Sequence, residues 1–114
     1  MREHWEPITG RNEEWRLIDG FDGYEVSNHG RVRSWHKGRW GRRAEPRILT
    51  AADSNGDYQH VSLIGSGGAK KTRGVHQLVT EAFYGPRPER SRIIFLDGNR
   101  RNNHLTNLAY QGMK

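Results

Sequence analysis

Apolar and polar positions alternate over short distances along most of this chain. The segments "WRLI", "YEVS", "RVRSW", "RILTA" and "YQHVSLI" are rich in β-branched and aromatic residues, and "FDGY", "NHG", "SNGD" and "GSGG" lie between them as turns. The first two-thirds therefore reads as a small antiparallel sheet. The period changes at "VHQLVTEAFY", where Val75, Leu78, Val79, Ala82 and Phe83 fall at i, i+3, i+4, i+7 and i+8. That spacing predicts an amphipathic helix, stopped by Gly85-Pro86. Pro88 keeps the link extended until "RIIFL" forms another strand. The fold class is α+β, with strands dominating.

Composition sharpens this picture. Only 32% of the 114 residues are apolar, which a small domain can still fold around by burying roughly 65% of its unfolded surface. The core is thin, and much of the molecule is surface or partner-facing. Nineteen Lys plus Arg against thirteen Asp plus Glu give a net charge of +6, and the pI is near 10.2. Such a balance is the electrostatic footprint of nucleic-acid binders. Arginine supplies most of it, since the lysines are Lys37, Lys70, Lys71 and Lys114, and its planar fork suits bidentate phosphate and guanine contacts.

The charge is not spread evenly. Residues 1–25 lean acidic, whereas Val26 to Thr50 carries Arg31, Arg33, Lys37, Arg39, Arg42, Arg43 and Arg47 against Glu45. If "RVRSW" is a strand, Arg31, Arg33 and Trp35 share one face while Val32 and Ser34 point the other way. "GRVRSWHKGRWGRR" thus reads as a nucleic-acid surface on which Trp35 and Trp40 stack or pack while arginines track phosphates. A charge-protected edge strand is the alternative.

Other stretches carry less chemistry. "GSGGAKKT" departs from the phosphate-loop pattern and reads as a flexible hairpin loop with two solvated lysines; "DSNGDY" reads as a turn, not a calcium loop. Without cysteine there is no disulfide framework and no cysteine-based zinc site. His4, His29 and His60 have no metal spacing and read as surface or turn residues, and His76 as a structural polar contact at the helix start. No apolar run at the N-terminus resembles a signal peptide and none reaches membrane-spanning length, so a cytoplasmic location and no membrane partner are expected.

Two stretches carry a family resemblance. "WRLIDGFDGYEVSNHGRVRS" resembles the nuclease-associated modular domain of phage and intron-borne HNH homing endonucleases, and Val75 to Tyr110 is similar to the HNH core that follows it. The resemblance divides the chain into an N-terminal segment (1–14), the modular DNA-binding-like motif (15–50), a linking hairpin (51–74) and an HNH core (75–114). It implies a ββα finger: a strand with a histidine general base, a loop, a second strand with a structural asparagine, and a helix bearing a metal-binding Asn or His. Against that pattern "IIFLDGN" places Phe95 at the general-base position, where a benzyl ring accepts no proton. Ile94 stands where some members have a metal-binding aspartate. Asp97, Gly98, Asn99, Asn102 and Asn103 preserve the loop, and Asn107-Leu108 the second strand. After "NLAY" only "QGMK" remains, too short for the last helix, so a truncated core is expected.

The reading is a catalytically inactive, HNH-like protein of phage or mobile-element type that binds double-stranded DNA. Arg31, Arg33, Trp35, Lys37, Arg39, Trp40, Arg42, Arg43, Arg100 and Arg101 are its candidate contacts; Arg87, Arg90 and Arg92 also lie near the former active site. Phe95 and Asn107 are vestigial site positions, with no catalytic residue, metal or cofactor assigned. The alternatives are a protein-binding phage factor that inhibits a host defence or transcription protein, and a DNA nickase or endonuclease completed in trans with Mg²⁺ or Mn²⁺. His104 as a substitute base would need a rebuilt site. The oligomeric state is not legible.

Overall fold

The computed structural model describes residues 13–36, 42–54 and 58–112, with the backbone alone at 42–44, 53, 54 and 66. Three antiparallel sheets surround one helix. Strands β1 (Trp15–Leu17), β2 (Tyr24–Ser27), β3 (Val32–His36) and β4 (Arg42–Ile48) form a four-stranded meander in chain order. A second meander joins β5 (Ala52–Ser54), β6 (Tyr58–Ile64) and β7 (Lys70–Gly74), and β8 (Ser91–Phe95) pairs with β9 (Leu108–Gly112) as a two-stranded ribbon. Helix α1 (Val75–Phe83) follows β7 directly.

Alternation decides which side of each strand is buried. Val32 and Ser34 of β3 and Val61 and Leu63 of β6 point inward, while Arg33, Trp35 and Ser62 face out or lie at the margin. The helix presents Val75, Leu78 and Val79 to the same core, with Ala82 and Phe83 packed at its edge. Val26, Leu63, Val79 and Leu108 come from all three sheets and the helix into one cluster, each at most 1% exposed. At α1's start the Gly74 amide donates to the Gln77 side chain (3.2 Å), occupying a donor next to the helix's free amides. None of the described helices is long and apolar enough to cross a membrane.

The sequence reading departs from this fold at four places. The single expected sheet is two meanders. The strand expected over "RILTA" instead runs Arg42–Ile48, and Pro46 is accommodated because β4 is an edge strand, which needs no second row of donors. "GSGGAKKT" is a short 3₁₀ turn, Ser66–Gly68, closed by Gly65 N to Ala69 O (2.9 Å), after which Lys70 and Lys71 enter β7 opposite Ile64 and Leu63. Gly67 and Gly68 at φ 89 and 88 make that turn possible. Finally, Asn107 is not in the second ribbon strand. It ends a 3₁₀ turn, Leu105–Asn107, because its side chain is drawn inward toward Asp97.

Candidate functional site

The loop between β8 and β9 is organised by one carboxylate. Asp97 Oδ1 accepts from the Asn99 amide (2.8 Å) and the Asn107 side chain (2.9 Å), and Oδ2 accepts from the Asn102 side chain (2.9 Å). These bonds, that of Asn102 foremost, hold the Asp97 carboxyl below the usual carboxylate range. Asn107 returns the link, its Oδ1 accepting the Asp97 amide (2.9 Å) while its amide group also donates to the Asn102 carbonyl (3.0 Å). Short Asp and Asn side chains fit here because they reach backbone groups two residues away.

Phe95 closes β8 just before this loop. Its ring lies 5.4 Å from that of His76 and 5.9 Å from that of Tyr58, and Tyr58 stacks on His76 at 5.0 Å. The Arg100 guanidinium sits over the outer partner, 5.0 Å from the Tyr58 ring. His76, expected as a polar contact, is instead a ring in an aromatic cluster; its Nδ1 is buried with no hydrogen-bond partner. Burial pushes its pKa below the ordinary imidazole value. His29 and His60, expected as surface or turn residues, each hold one buried ring nitrogen; His29 is in a turn and His60 in β6. His4 lies outside the described residues.

The donor set of this region does not fit a catalytic metal. The side chains of Ile94 and Phe95 offer no oxygen or nitrogen, both Asp97 oxygens are engaged by amides, and no group of three His, Cys, Asp or Glu converges among the described residues. His104 stacks on His29 at 5.0 Å, and its Nδ1 accepts the Thr106 amide (3.3 Å). That ring serves the turn.

The predicted basic face divides into two. Arg31 forms a two-pronged pair with Glu13 (2.9 and 2.5 Å), and this bond draws the Glu13 carboxyl below its usual range. Glu25 Oε1 accepts from both Arg33 Nε (2.6 Å) and Trp35 Nε1 (2.8 Å). The Arg33 guanidinium lies over Trp15 at 4.1 Å and Trp35 at 5.3 Å, making a tryptophan–arginine–tryptophan stack across the sheet. Sequence reasoning missed Trp15 and Glu25 as partners; the register Glu25 opposite Arg33 brings them in, a signal present only once strands are paired. Arg100 and Arg101 stand exposed on the Asp97 loop. Of the remaining candidates, Arg42 and Arg43 have their backbone in β4, and Lys37, Arg39 and Trp40 lie outside the described residues.

A turn of the first meander meets the Asp97 loop. The buried Asn28 bonds Glu14 through its side chain (2.7 Å), and its carbonyl accepts the Leu105 amide (2.8 Å). Gly30, at φ 88, sits so close to Asn103 that a Cβ would fall 2.8 Å from the Asn103 Cβ.

A ribbon closed by an asparagine-braced aspartate loop and backed by one helix, behind a β-rich N-terminal unit, defines an HNH-type protein. Residues 13–64 match the NUMOD4 motif and residues 73–111 the HNH endonuclease family. The chain belongs to the HNH homing endonuclease family. It is 34% identical over 102 residues to the DNA endonuclease I-HmuI of Bacillus phage SP01, covering 89% of this chain and 53% of that protein. An uncharacterized HNH endonuclease of Acanthamoeba polyphaga mimivirus is 30% identical over 101 residues, 89% of this chain and 28% of the relative. The solved structure of DNA binding and cleavage by I-HmuI superposes with a TM-score of 0.70 at 32% identity, covering 87% of this chain and 52% of that one. This chain thus spans about half the length of I-HmuI, or less than a third of the viral relative.

Proposed function

We propose that this chain binds double-stranded DNA through an HNH scaffold that has lost its hydrolytic chemistry. The observation that carries the reading is Phe95, packed against His76 and Tyr58 at the position where the family places its general base. General-base catalysis requires an acceptor within hydrogen-bond reach of the water's proton, and neither Phe95 nor Ile94 supplies one. The net charge of +6 and the resemblance to a DNA endonuclease support the DNA partner.

Within this reading the contact surface is weighted toward the HNH segment. Arg31 and Arg33 already have carboxylate partners, so their positive charge is largely cancelled and their side chains are committed to the sheet. Arg100 and Arg101 lie exposed beside the ribbon, where phosphates can approach. Trp35 contributes stacking area at the margin of the first meander, and Lys37, Arg39, Trp40, Arg42 and Arg43 extend the basic run next to it in sequence.

The test pairs two measurements on one preparation. Fluorescence anisotropy with labelled duplex DNA is expected to give binding whose log affinity falls with log salt at a slope of about -5, as for some six neutralised phosphates. A plasmid incubated with the protein in Mg²⁺ or Mn²⁺ is expected to stay supercoiled. Nicking or linearisation above a protein-free control would overturn the loss of chemistry. Absence of binding at low salt would overturn the DNA partner.

A further inference from the structure

Eight described residues have a positive φ, and seven of them are glycine. The eighth is Arg90, at φ 64. A side chain in the left-handed region crowds its own backbone, which is why glycine ordinarily holds such positions and why a long residue there is conspicuous.

Arg90 occupies the third position of a Pro88–Ser91 turn closed by the Ser91 amide on the Pro88 carbonyl (3.2 Å). That position favours glycine or asparagine when φ is positive. The turn is fastened twice more: Ser91 Oγ also donates to the Pro88 carbonyl, and the Arg87 guanidinium donates to the Ser91 carbonyl. Strained residues persist where the surroundings over-determine them, and this turn supplies that restraint. Arg90 is exposed, and among the described residues it makes no hydrogen bond, ion pair or ring contact, whereas Arg87 is spent on the turn and Arg92 Nε donates to Gln111 (3.2 Å). A cation that makes none of these contacts among the described residues, in a conformation that glycine would adopt more easily, points to something outside the chain.

We infer that Arg90 is a phosphate anchor, its guanidinium presented by the Pro88–Ser91 turn to the backbone of a bound nucleic acid. The inference rests on the DNA-binding reading and adds to it a contact at the entrance of β8, at the far end of that strand from Phe95 and not beside the former active site, where the sequence placed Arg90. The chemistry is that of a planar, permanently charged fork on a phosphate, independent of base sequence.

The experiment compares full-length wild type, Arg90→Gly and Arg90→Lys by thermal melting and by anisotropy titration on duplex DNA across a salt series. Arg90→Gly is expected to melt no lower than wild type, to bind severalfold more weakly and to show a salt slope shallower by about one. Arg90→Lys is expected to keep the wild-type slope. If Arg90→Gly binds with unchanged affinity and slope while the wild type binds normally, the anchor is overturned and the DNA reading stands. A lower melting temperature for Arg90→Gly, or a slope lost in Arg90→Lys, overturns it as well, the first by making Arg90 structural. A wild type that ignores DNA at low salt removes both readings together.

Discussion

Asn107 spends each polar atom of a buried amide: two donors on Asp97 and Asn102, one acceptor on the Asp97 amide. Asn107→Ala leaves those partners unsatisfied and is expected to cost about 2–3 kcal/mol by urea denaturation. Asn107→Asp is expected to cost no less, because a second carboxylate would face Asp97. His76 gives a prediction in pH. Its folded pKa lies below the ordinary 6.5, so the unfolded chain binds the proton more readily. Its contribution is whole above about pH 6.5 and is lost as pH falls through that value toward the folded pKa. Melting temperature from pH 8 to pH 5 should therefore fall more in wild type than in His76→Phe, and equal falls would remove His76 from the account. The loop of Asp97, Asn99 and Asn102 was legible, since Asn and Asp clusters announce loops, but Asn107 read as strand and its place in the turn was not. The aromatic neighbours of Phe95 were not, because Tyr58 and His76 arrive from β6 and α1, far away in sequence.

Elements differ in how openly they declare themselves. Helix α1 was legible from its apolar spacing alone, and β2, β3 and β6 from alternation between turn residues. Strand β7 was not, since "KKTRG" has no apolar residue; it is a strand because β6 offers it a ladder from His60 to Ile64. Its lysines also suit an exposed edge, where charge discourages pairing with other chains. The Asn28–Gly30 turn makes the junction between the matched segments testable. Gly30→Ala must both hold φ 88 and find room beside Asn103, and is expected to destabilise by about 2 kcal/mol or more in urea. A neutral result would mean the turn can lift away from the loop without loss.

Across the whole molecule, net charge was readable from composition, but its effective distribution was not. The acidic N-terminal stretch folds back on the basic one: Glu13 reaches Arg31 and Glu25 reaches Arg33. Two variants compare a charge paired within the first meander with two exposed charges on the Asp97 loop. Arg33→Ala, which empties the space between Trp15 and Trp35, is expected to lower stability by about 1–2 kcal/mol and to leave the salt slope of DNA binding nearly intact. Arg100→Ala combined with Arg101→Ala is expected to make that slope shallower by about two. The reverse pattern in the titrations would return the interface to the first meander.

The Asn28 carbonyl, lent to Leu105 across the boundary between the two family matches, bears on how such proteins are inherited. Segments that look interchangeable on a sequence map here share one core and, at its edge, a seam of one turn and one loop. A recombination event that imported a foreign N-terminal half would have to bring a small residue at 30 and a carbonyl at 28 in the same geometry, or leave the Leu105 amide stranded. The seam is one of the fits that such splicing must respect.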